Sequence, residues 1–489
     1  MVSTVAASAQ QVPDSDLLQN PQGREFPSLD GDWRVIPDPY ENGFYNHRYE
    51  SRADGYFEAR KHDDPTELIE YDFRRSETLE APGDWNSQDE RYFFYEGTMW
   101  YFRSFDVQPE ENRRYLLHFG GVNYIANVWF NGRWLGRHKG GFTPFQFDAG
   151  PPLASGENFV VVKVDNRRAS DYVPALNTDW WKYGGITRPV RLIVVPDDHI
   201  ADYRIGLAND GAIEGWVRVA GAPDGERVAL SLPALAIGAE FEVDTRGFAR
   251  FSFDAEPQRW SPGNPILYEL RLEYGDDTVE DRVGFRRIEV VGEDILLNGE
   301  PVFLEGISIH EEALGRRGRA WSLEDAYALL REAHALGCNF VRLAHYPHSE
   351  MMLRAADELG LLVWAEIPVY WTIDFESPGV LAKARRQLDE MIARDANRAS
   401  VILWSMANET PVSAARLRFI DALASHARKL DPHRLITAAL DTQTAEAGRR
   451  IIDDPLADTI DVIGINNYCG WYGDKPADCA GLRWVSRYG

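Results

Sequence analysis

The sequence predicts a multidomain protein in which two all-β domains precede a domain of alternating strands and helices. The chain has 489 residues, too many for one ordinary hydrophobic core. Short strand patterns separated by turn residues extend to about residue 290, where the strand–helix alternation begins. The predicted parts are 1–25 as a disordered tail or signal remnant, 26–198 as a β-sandwich, 199–290 as an immunoglobulin-like β-sandwich, and 291–489 as the strand–helix domain.

The opening residues, MVSTVAASAQQVPDSD, contain Ala7-Ser8-Ala9, the small-x-small pattern of a signal-peptidase site. A positively charged start and a long apolar stretch are missing, so a trimmed export signal and a disordered tail both remain open. The pattern slightly favours a periplasmic or secreted location over a cytoplasmic one. The three cysteines are too few and scattered for a disulfide framework or a zinc site, although Cys469 and Cys479 could pair.

Both β domains are predicted from alternation and turn chemistry. YIANVWFNGRWLG (124–136) alternates apolar and polar residues and turns at Asn131-Gly132, the strongest short hairpin signal. NFVVVKVDN (158–166) and RPVRLIVV (188–195) are further strands of the first sandwich. In the second, WSPGNP (260–265) interrupts the strand pattern, and about 90 residues of this kind fit an immunoglobulin-like fold.

The third domain alternates apolar strands with amphipathic helices. Ser322 is predicted to cap a helix with Asp325 completing a capping box, and Gly337 to end it; further helices are expected at 349–360, 380–396 and 413–429. Apolar strands between helices indicate a parallel sheet covered on both faces. A barrel and a doubly wound sheet both begin this way, and the absence of a glycine-rich nucleotide loop counts against the second. The six predicted strands are 302–309, 339–344, 361–367, 401–406, 435–440 and 461–467.

The net charge and the length of the apolar stretches limit which classes of partner are expected. The net charge of −25 and pI near 4.9 argue against nucleic acid and anionic membranes as partners. An acidic ligand would need a local cationic pocket in such a protein. No stretch approaches 18 uninterrupted apolar residues, so no membrane-spanning segment is expected.

Polar residues recur where the predicted strands end. In a barrel, functional side chains collect at these positions, so a polar end on nearly every strand predicts a pocket with Glu409 pointing into it. The residues concerned are His310, Glu311, Arg342, His345, Glu366, Asn408, Glu409, Asp441, Asn466 and Tyr468.

Individual residues also fit other interpretations. His345 and His348 lack an obvious third ligand, so no metal site is expected. Asn408-Glu409-Thr410 fits a glycosylation sequon, but its position after a buried strand argues against modification. Glu366 is read first as a residue that holds a neighbouring loop. With no Gly-x-Ser-x-Gly elbow and no suitably placed cysteine, a carboxylate-based reaction without a cofactor remains.

Long stretches then identify a family. YEGTMWYFRSF (95–105), the sandwich stretch 121–148, RWSPGNPILYELRL (259–272) and the strand-helix stretches 302–312, 340–350 and 394–409 resemble glycoside hydrolase family 2. The resemblance implies a jelly-roll-like sugar-binding sandwich, an immunoglobulin-like sandwich and a (β/α)8 TIM barrel, incomplete in this chain. It also implies a carbohydrate substrate; the sequence leaves open whether the protein forms a homo-oligomer.

Within the family, three stretches look most like β-glucuronidases: TDWWKYGGITRPV (178–190), WSMANETP (404–411) and DVIGINNYCGWY (461–472). There are two departures: Cys469 replaces a usual tyrosine, and the family's His-Glu-Asp appears as His310-Glu311-Glu312. The resemblance implies a retaining exo-β-glycosidase, most simply a β-glucuronidase. A β-galactosidase or another family 2 β-glycosidase is the alternative, as is a carbohydrate-binding protein without catalysis if residue 489 is the true end.

Residue roles follow from the same resemblance. Glu409 would be the general acid/base, Asn408 would bind the sugar 2-hydroxyl, and Asp179 would reach the sugar from the sandwich. The other predicted substrate-binding residues are His310, His345, Tyr468, Asn466, Glu366 and Arg342. The family's nucleophile segment, of the type Lys-Pro-x-x-x-Ser-Glu-x-Gly, is expected to start where the printed sequence ends with LRWVSRYG. GRRGR (315–319) adds positive charge near the rim and is read as a solvated loop.

Overall fold

A computed structural model describes residues 17–24, 26–41, 73–221, 224–441, 443–444, 449–470, 479 and 483–486. The predicted tail at 1–25 lies largely outside the described residues. Over the described residues, two β-sandwiches precede a curled parallel sheet with helices, so the predicted fold class is confirmed. No helix in this part of the chain has the length and apolar character that crossing a bilayer requires.

The first domain pairs a six-stranded sheet, in the order β2-β1-β3-β9-β6-β7, with a three-stranded sheet, β11-β4-β8. The predicted hairpin joins β6 to β7, and its two residues both have positive φ (Asn131 +46°, Gly132 +76°), as a tight turn of this type requires. The sequence showed no helical period here, yet a short α-helix, α1 (Trp85–Gln88), forms among the described residues behind the cap of Asp84. The strands are β1 (Gly31–Pro37), β2 (Glu77–Ala81), β3 (Thr98–Val107), β4 (Arg113–Phe119), β5 (Val122–Asn123), β6 (Ile125–Phe130), β7 (Arg133–Lys139), β8 (Phe145–Asp148), β9 (Gly156–Asp165), β10 (Gly185–Ile186) and β11 (Val190–Pro196).

The second domain packs a three-stranded sheet, β12-β13-β16, on a four-stranded sheet, β15-β14-β17-β18, around one apolar core. Seven antiparallel strands in two sheets are the immunoglobulin-like arrangement that the sequence predicted. A small sheet, β19-β20-β21, then leads into the barrel. The strands are β12 (His199–Leu207), β13 (Ile213–Ala220), β14 (Arg227–Leu232), β15 (Ile237–Glu242), β16 (Phe248–Phe253), β17 (Tyr268–Tyr274), β18 (Asp277–Val283), β19 (Ile288–Val291), β20 (Asp294–Leu297) and β21 (Glu300–Pro301).

The third domain contains the six predicted parallel strands, hydrogen-bonded in chain order except for one insertion. The first strand is shorter than predicted and starts at Gly306. The insertion after the fifth strand carries two short strands that the sequence pattern did not reveal. The strands are β22 (Gly306–Ile309), β23 (Phe340–Leu343), β24 (Leu362–Glu366), β25 (Val401–Asn408), β26 (Leu435–Leu440), β27 (Gln443–Thr444), β28 (Arg449–Ile452), β29 (Val462–Ile465) and β30 (Arg483–Ser486).

In the described part of this domain, four helices cover the parallel sheet: α2 (Leu323–Ala335), α3 (Glu350–Leu359), α4 (Pro378–Asp395) and α5 (Ala414–Leu430). The predicted capping box at the start of α2 is present, with Ser322 and Asp325 each bonding the other's backbone N–H. Every residue of β25 is buried, because neighbouring strands and helices enclose this strand on all sides. Its carboxyl end, where Asn408 is followed by Glu409, is the first point at which polar side chains can reach the edge of the sheet.

Buried ion pairs fix the first sandwich on the barrel. The Arg188 guanidinium, in the loop before β11, donates to Glu311 Oε2 at 2.9 Å and to the Pro347 carbonyl at 2.7 Å. Arg319 also contacts Glu311, and Tyr183 donates to Glu312 at 2.6 Å. Since these bonds hold residues 178–190 against the strand ends, they position the loop that carries Asp179.

Candidate active site

Glu409 sits at the carboxyl end of β25, held by its own backbone. Its N–H donates to the Ala439 carbonyl of the neighbouring strand at 2.9 Å, and its φ is +48°. Trp371, on the adjacent loop, also has positive φ (+51°), and its N–H donates to the Asn408 carbonyl at 3.0 Å. Left-handed backbone is uncommon for residues with a side chain and concentrates at functional sites. Two such residues meet here.

Besides a long 3.5 Å contact from Asn408 Nδ2, three side chains donate hydrogen bonds to the Glu409 carboxylate. Tyr468 Oη lies 2.7 Å from Oε1, Trp371 Nε1 lies 3.1 Å from Oε2, and Asn466 also bonds the carboxylate. Partial burial alone would raise the pKa of Glu409, but these three donors outweigh it and hold the pKa below its ordinary value. The carboxylate is therefore held ionised in this arrangement.

Arg342 connects several residues around Glu409 through hydrogen bonds. Its guanidinium donates to Asn408 Oδ1 at 2.6 Å, to Asn466 Oδ1 at 2.7 Å and to Glu366 Oε2 at 3.1 Å. Asn466 Nδ2 donates to the same Asn408 oxygen at 3.0 Å. Because two donors occupy the Asn408 oxygen, the amide orientation is fixed, and its N–H₂ group faces Glu409 at 3.5 Å. The two polar residues at the end of β25 are thus oriented by a network.

Glu366 is a buried anion within this network. It receives hydrogen bonds from Arg342, from Trp364 Nε1 (3.0 Å) and from His345 Nδ1 (2.7 Å). Burial raises its pKa, but the Arg342 and His345 charges and hydrogen bonds overcome this and lower the pKa to about 2. Both carboxylate oxygens are occupied, which fits the reading of Glu366 as a residue that holds its neighbours in place.

Asp179 from the sandwich reaches the barrel. It bonds the Tyr370 hydroxyl, and one ligand atom from each of Asp179, His310 and His345 lies within 4.8 Å of the others. The neighbouring Trp180 ring packs 4.9 Å from Tyr370, measured between ring centroids. Burial lowers the pKa of His310, and its Nδ1 is buried without a partner in the described structure. The sandwich loop and three barrel strands therefore enclose one polar pocket.

The structure brings all nine predicted site residues together at this edge of the sheet, while their roles towards a sugar stay predictions. Asp441 follows β26 close enough for the Glu409 charge to help burial raise its pKa. Glu311, another polar strand end, is a buried partner of Arg188 and Arg319 instead. His348 Nε2 lies 2.9 Å from the Ala344 carbonyl oxygen within the protein. The solvated-loop reading of GRRGR fails in part, because Arg319 is buried and Arg316 pairs with Asp325.

Sequence reasoning missed Trp371, Tyr370 and Trp180. The first two follow β24 in the stretch VYW, and Trp180 follows Asp179 directly. An aromatic residue beside a predicted polar site was the available signal. With 15 Trp and 21 Tyr in the chain, composition alone does not distinguish an aromatic residue of the core from one that stacks on a sugar.

The fold and site define a carbohydrate-active enzyme family. Three family models match in succession: the glycosyl hydrolases family 2 sugar binding domain at 26–196, glycosyl hydrolases family 2 at 229–286, and the family 2 TIM barrel domain at 288–483. The chain belongs to glycosyl hydrolase family 2. Membership in this family implies that the chain binds a carbohydrate.

Relatives and solved structures point to one group in the family. The chain is 28% identical to a β-glucuronidase of Streptococcus agalactiae over 469 residues, 84% of this chain and 74% of that protein. A Formosa agariphila relative is 31% identical over 353 residues, 68% of this chain but only 43% of that protein, so the chain spans less than half of its length. A Bifidobacterium dentium β-glucuronidase structure, complexed with coumarin-3-O-glucuronide, is similar with a TM-score of 0.76 and 25% identity, covering 95% of this chain and 82% of that one.

Proposed function

We propose that the protein is a retaining exo-β-glycosidase that releases terminal β-D-glucuronic acid, with Glu409 as general acid/base. One observation carries the proposal: Glu409 ends β25 in a pocket where Asn408, Asn466, Tyr468 and the sandwich residue Asp179 converge. Polar donors and acceptors in one pocket suit the hydroxyl groups of a sugar. The β-glucuronidase relatives support the choice of sugar.

In the first step, Glu409 would donate its proton to the glycosidic oxygen as the bond to the anomeric carbon breaks. A second carboxylate would form the new bond to that carbon from the opposite face. In the second step, ionised Glu409 would take a proton from water, whose oxygen displaces the enzyme carboxylate. Asn408, with its oxygen held by Arg342, is free to offer its N–H₂ group to the 2-hydroxyl.

The donors around Glu409 suit the second step, in which it acts as a base. For the first step the pKa must rise, and a second carboxylate about 5–5.5 Å away would raise it by charge repulsion. Glu366 cannot serve, because Arg342, His345 and Trp364 occupy its oxygens. In the family the second carboxylate comes from the Ser-Glu-x-Gly segment, and no such segment occurs in the printed sequence.

The sugar is tested in protein that also carries the family's nucleophile segment, by comparing kcat/KM on nitrophenyl β-glucuronide, β-galactoside and β-glucoside. We expect the glucuronide to be the best substrate. A β-galactosidase is the second candidate, because a Thermoanaerobacter pseudethanolicus β-galactosidase is 30% identical over 377 residues, 70% of this chain and 50% of that protein. Equal or higher activity on a neutral sugar would replace the glucuronidase proposal with a broader β-glycosidase.

We also propose an oxidising compartment, either the periplasm or the exterior of the cell. Cys469 and Cys479 form a disulfide, as the sequence allowed, and disulfides persist mainly in exported proteins. Alkylation of the native protein, followed by mass spectrometry, should label Cys338 alone. Labelling of all three cysteines in protein taken directly from its cells would contradict this.

A further inference from the structure

A second cavity lies at the opposite end of the barrel strands from Glu409. It has a volume of about 590 Å³ and separates the immunoglobulin-like domain from the barrel. One wall comes from β12 and β13, and the other from residues 396–399 and 431–434, which precede β25 and β26. The candidate active site follows the same two strands at their carboxyl ends. The cavity is therefore a separate place in the fold.

The cavity is strongly cationic in a protein of net charge −25. Six arginine and lysine side chains line it, against two carboxylates. One carboxylate, Asp431, is already occupied by Trp404 Nε1 at 2.9 Å and Arg434 at 2.8 Å. The cationic residues are Arg204, Arg250, Arg286, Arg428, Lys429 and Arg434. Three of them are paired: Arg204 with Asp202, Arg428 with Asp461, and Arg434 with Asp431. The other three have no carboxylate partner among the described residues, and such unpaired cations raise the local concentration of anions.

Two donors in its wall have no acceptor. Trp216 Nε1 and Arg204 Nε are buried and lack a hydrogen-bond partner in the described structure, with their residues 4% and 6% exposed. The Arg204 guanidinium lies 5.7 Å from the centroid of the Trp216 ring, so both donors belong to one wall. Buried donors are nearly always paired in folded proteins, because an unpaired one is costly. Both atoms are covered by protein, and another nitrogen of Arg204 pairs with Asp202 at 3.2 Å, so a ligand with oxygen acceptors would satisfy them only if the wall side chains moved to admit it.

Cationic side chains on both sides of the cavity also lack partners. Among the described residues, neither Lys429 nor Arg250 has a hydrogen bond or a carboxylate partner. Arg286 bonds only the carbonyls of Ala399 and Val401. Burial first, and then repulsion from Arg434, lower the pKa of Arg286 to about 9. An anion in the cavity would relieve this repulsion.

We propose that this cavity binds a small molecule through a tetrahedral oxyanion, as in a phosphate or sulfate ester. Lys429 and Arg250 supply charge to its oxygens, and Trp216 Nε1 and Arg204 Nε, which are covered in this structure, donate to them once the wall side chains move aside. The volume lies within the range of small-molecule sites, and the scarcity of free acceptors excludes a cationic ligand. Since the cavity lies between two domains, an anion bound in it contacts both the immunoglobulin-like domain and the barrel.

The test is calorimetric titration of the chain with inorganic phosphate, inorganic sulfate and phenyl phosphate, without any glycoside. We expect saturable binding at one site and a Tm that rises with ligand concentration. Trp216→Phe keeps an aromatic ring and deletes the N–H, so affinity should fall about tenfold or more. Its Tm without ligand should stay equal or rise, because an unpaired buried donor is removed. Tighter binding of phenyl phosphate than of inorganic phosphate would assign the site to organic esters, and equal binding to the free ion.

A matched pair of charge reversals completes the design. Lys429→Glu should reduce affinity about tenfold or more, whereas Arg331→Glu, on the exposed face of α2, should leave it unchanged. Binding that fails to saturate would overturn the proposal. An equal loss of affinity in both charge reversals would also overturn it, since that would indicate general screening of the protein charge. Wild-type affinity in Trp216→Phe would overturn it as well. No outcome depends on glycosidase activity, so failure here leaves the proposed function untouched.

Discussion

Replacing Arg342 by methionine tests the network beneath Glu409. The substitution keeps much of the apolar stem but leaves Glu366 as a buried anion, with His345 and Trp364 as its remaining partners. The pKa of Glu366 is about 2 against an ordinary 4.5, a difference that corresponds to roughly 3 kcal/mol of stability. Removing one partner of a buried ion pair costs about 3–5 kcal/mol in proteins. We therefore expect Arg342→Met to lower the free energy of unfolding by about that amount at pH 7.

The assay is urea unfolding followed by tryptophan fluorescence, which reports on all 15 tryptophans together, among them Trp364, whose ring centroid lies 4.7 Å from the Arg342 guanidinium. Adding Glu366→Gln to Arg342→Met should restore at least half of the loss, because the unpaired charge is gone. The exposed control Arg331→Met should change stability by no more than about 0.5 kcal/mol. A loss below about 1 kcal/mol in Arg342→Met, or no recovery in the double variant, would refute the reasoning.

The sign of the pH dependence follows from the lowered pKa of Glu366. A carboxyl group whose pKa is depressed by folding stabilises the protein above its unfolded pKa, and this contribution is lost as the pH falls from about 4.5 through about 2. The difference in stability between the wild type and Glu366→Gln should shrink over that window. A difference that is constant from pH 6 to pH 2 would contradict the ion-pair account.

Two further predictions concern the site. Tyr468→Phe removes the 2.7 Å donor to Glu409, so the pKa of Glu409 should rise and the alkaline limb of kcat/KM should move to higher pH; a downward shift would contradict the hydrogen-bond assignment. Residues 1–489 expressed alone should not hydrolyse glucuronides by double displacement, because the printed sequence lacks the family's nucleophile segment and, in the described sheet, the outer edges of β22 and β29 are unpaired. Robust hydrolysis with retention by that polypeptide would overturn this expectation.

Local patterns predicted much of the fold. The capping box at Ser322, the turn at Asn131-Gly132 and the six apolar strands depend on neighbours in sequence, so periodicity and turn chemistry revealed them. The short strands β27 and β28 were missed because two to four residues are too few to show a period. The domain boundaries at 198 and 290 stay predictions.

The residues of the site could be predicted from the sequence, but the hydrogen bonds between them could not. A polar residue at a strand end is visible in sequence, and Glu409 was found that way. Arg342 bonds Asn408, Asn466 and Glu366 only because four strands align in the sheet, and no single stretch of sequence shows that alignment. The hydrogen bond from Trp371 to Glu409 depends on the left-handed backbone of Trp371, which the local sequence does not predict. The cationic cavity joins residues more than 200 positions apart, and so required the fold.

The most direct test of the account is azide rescue of Glu409→Ala in the hydrolytically active protein, with dinitrophenyl β-glucuronide as substrate. This leaving group departs without protonation, so the glycosyl–enzyme ester still forms, but no base remains to activate water. Azide should enter the space left by the carboxylate and form a bond to the anomeric carbon as the ester bond breaks. We predict faster turnover with azide and a β-glucuronosyl azide product. No acceleration, or an α-azide product, would show that Glu409 is not the acid/base.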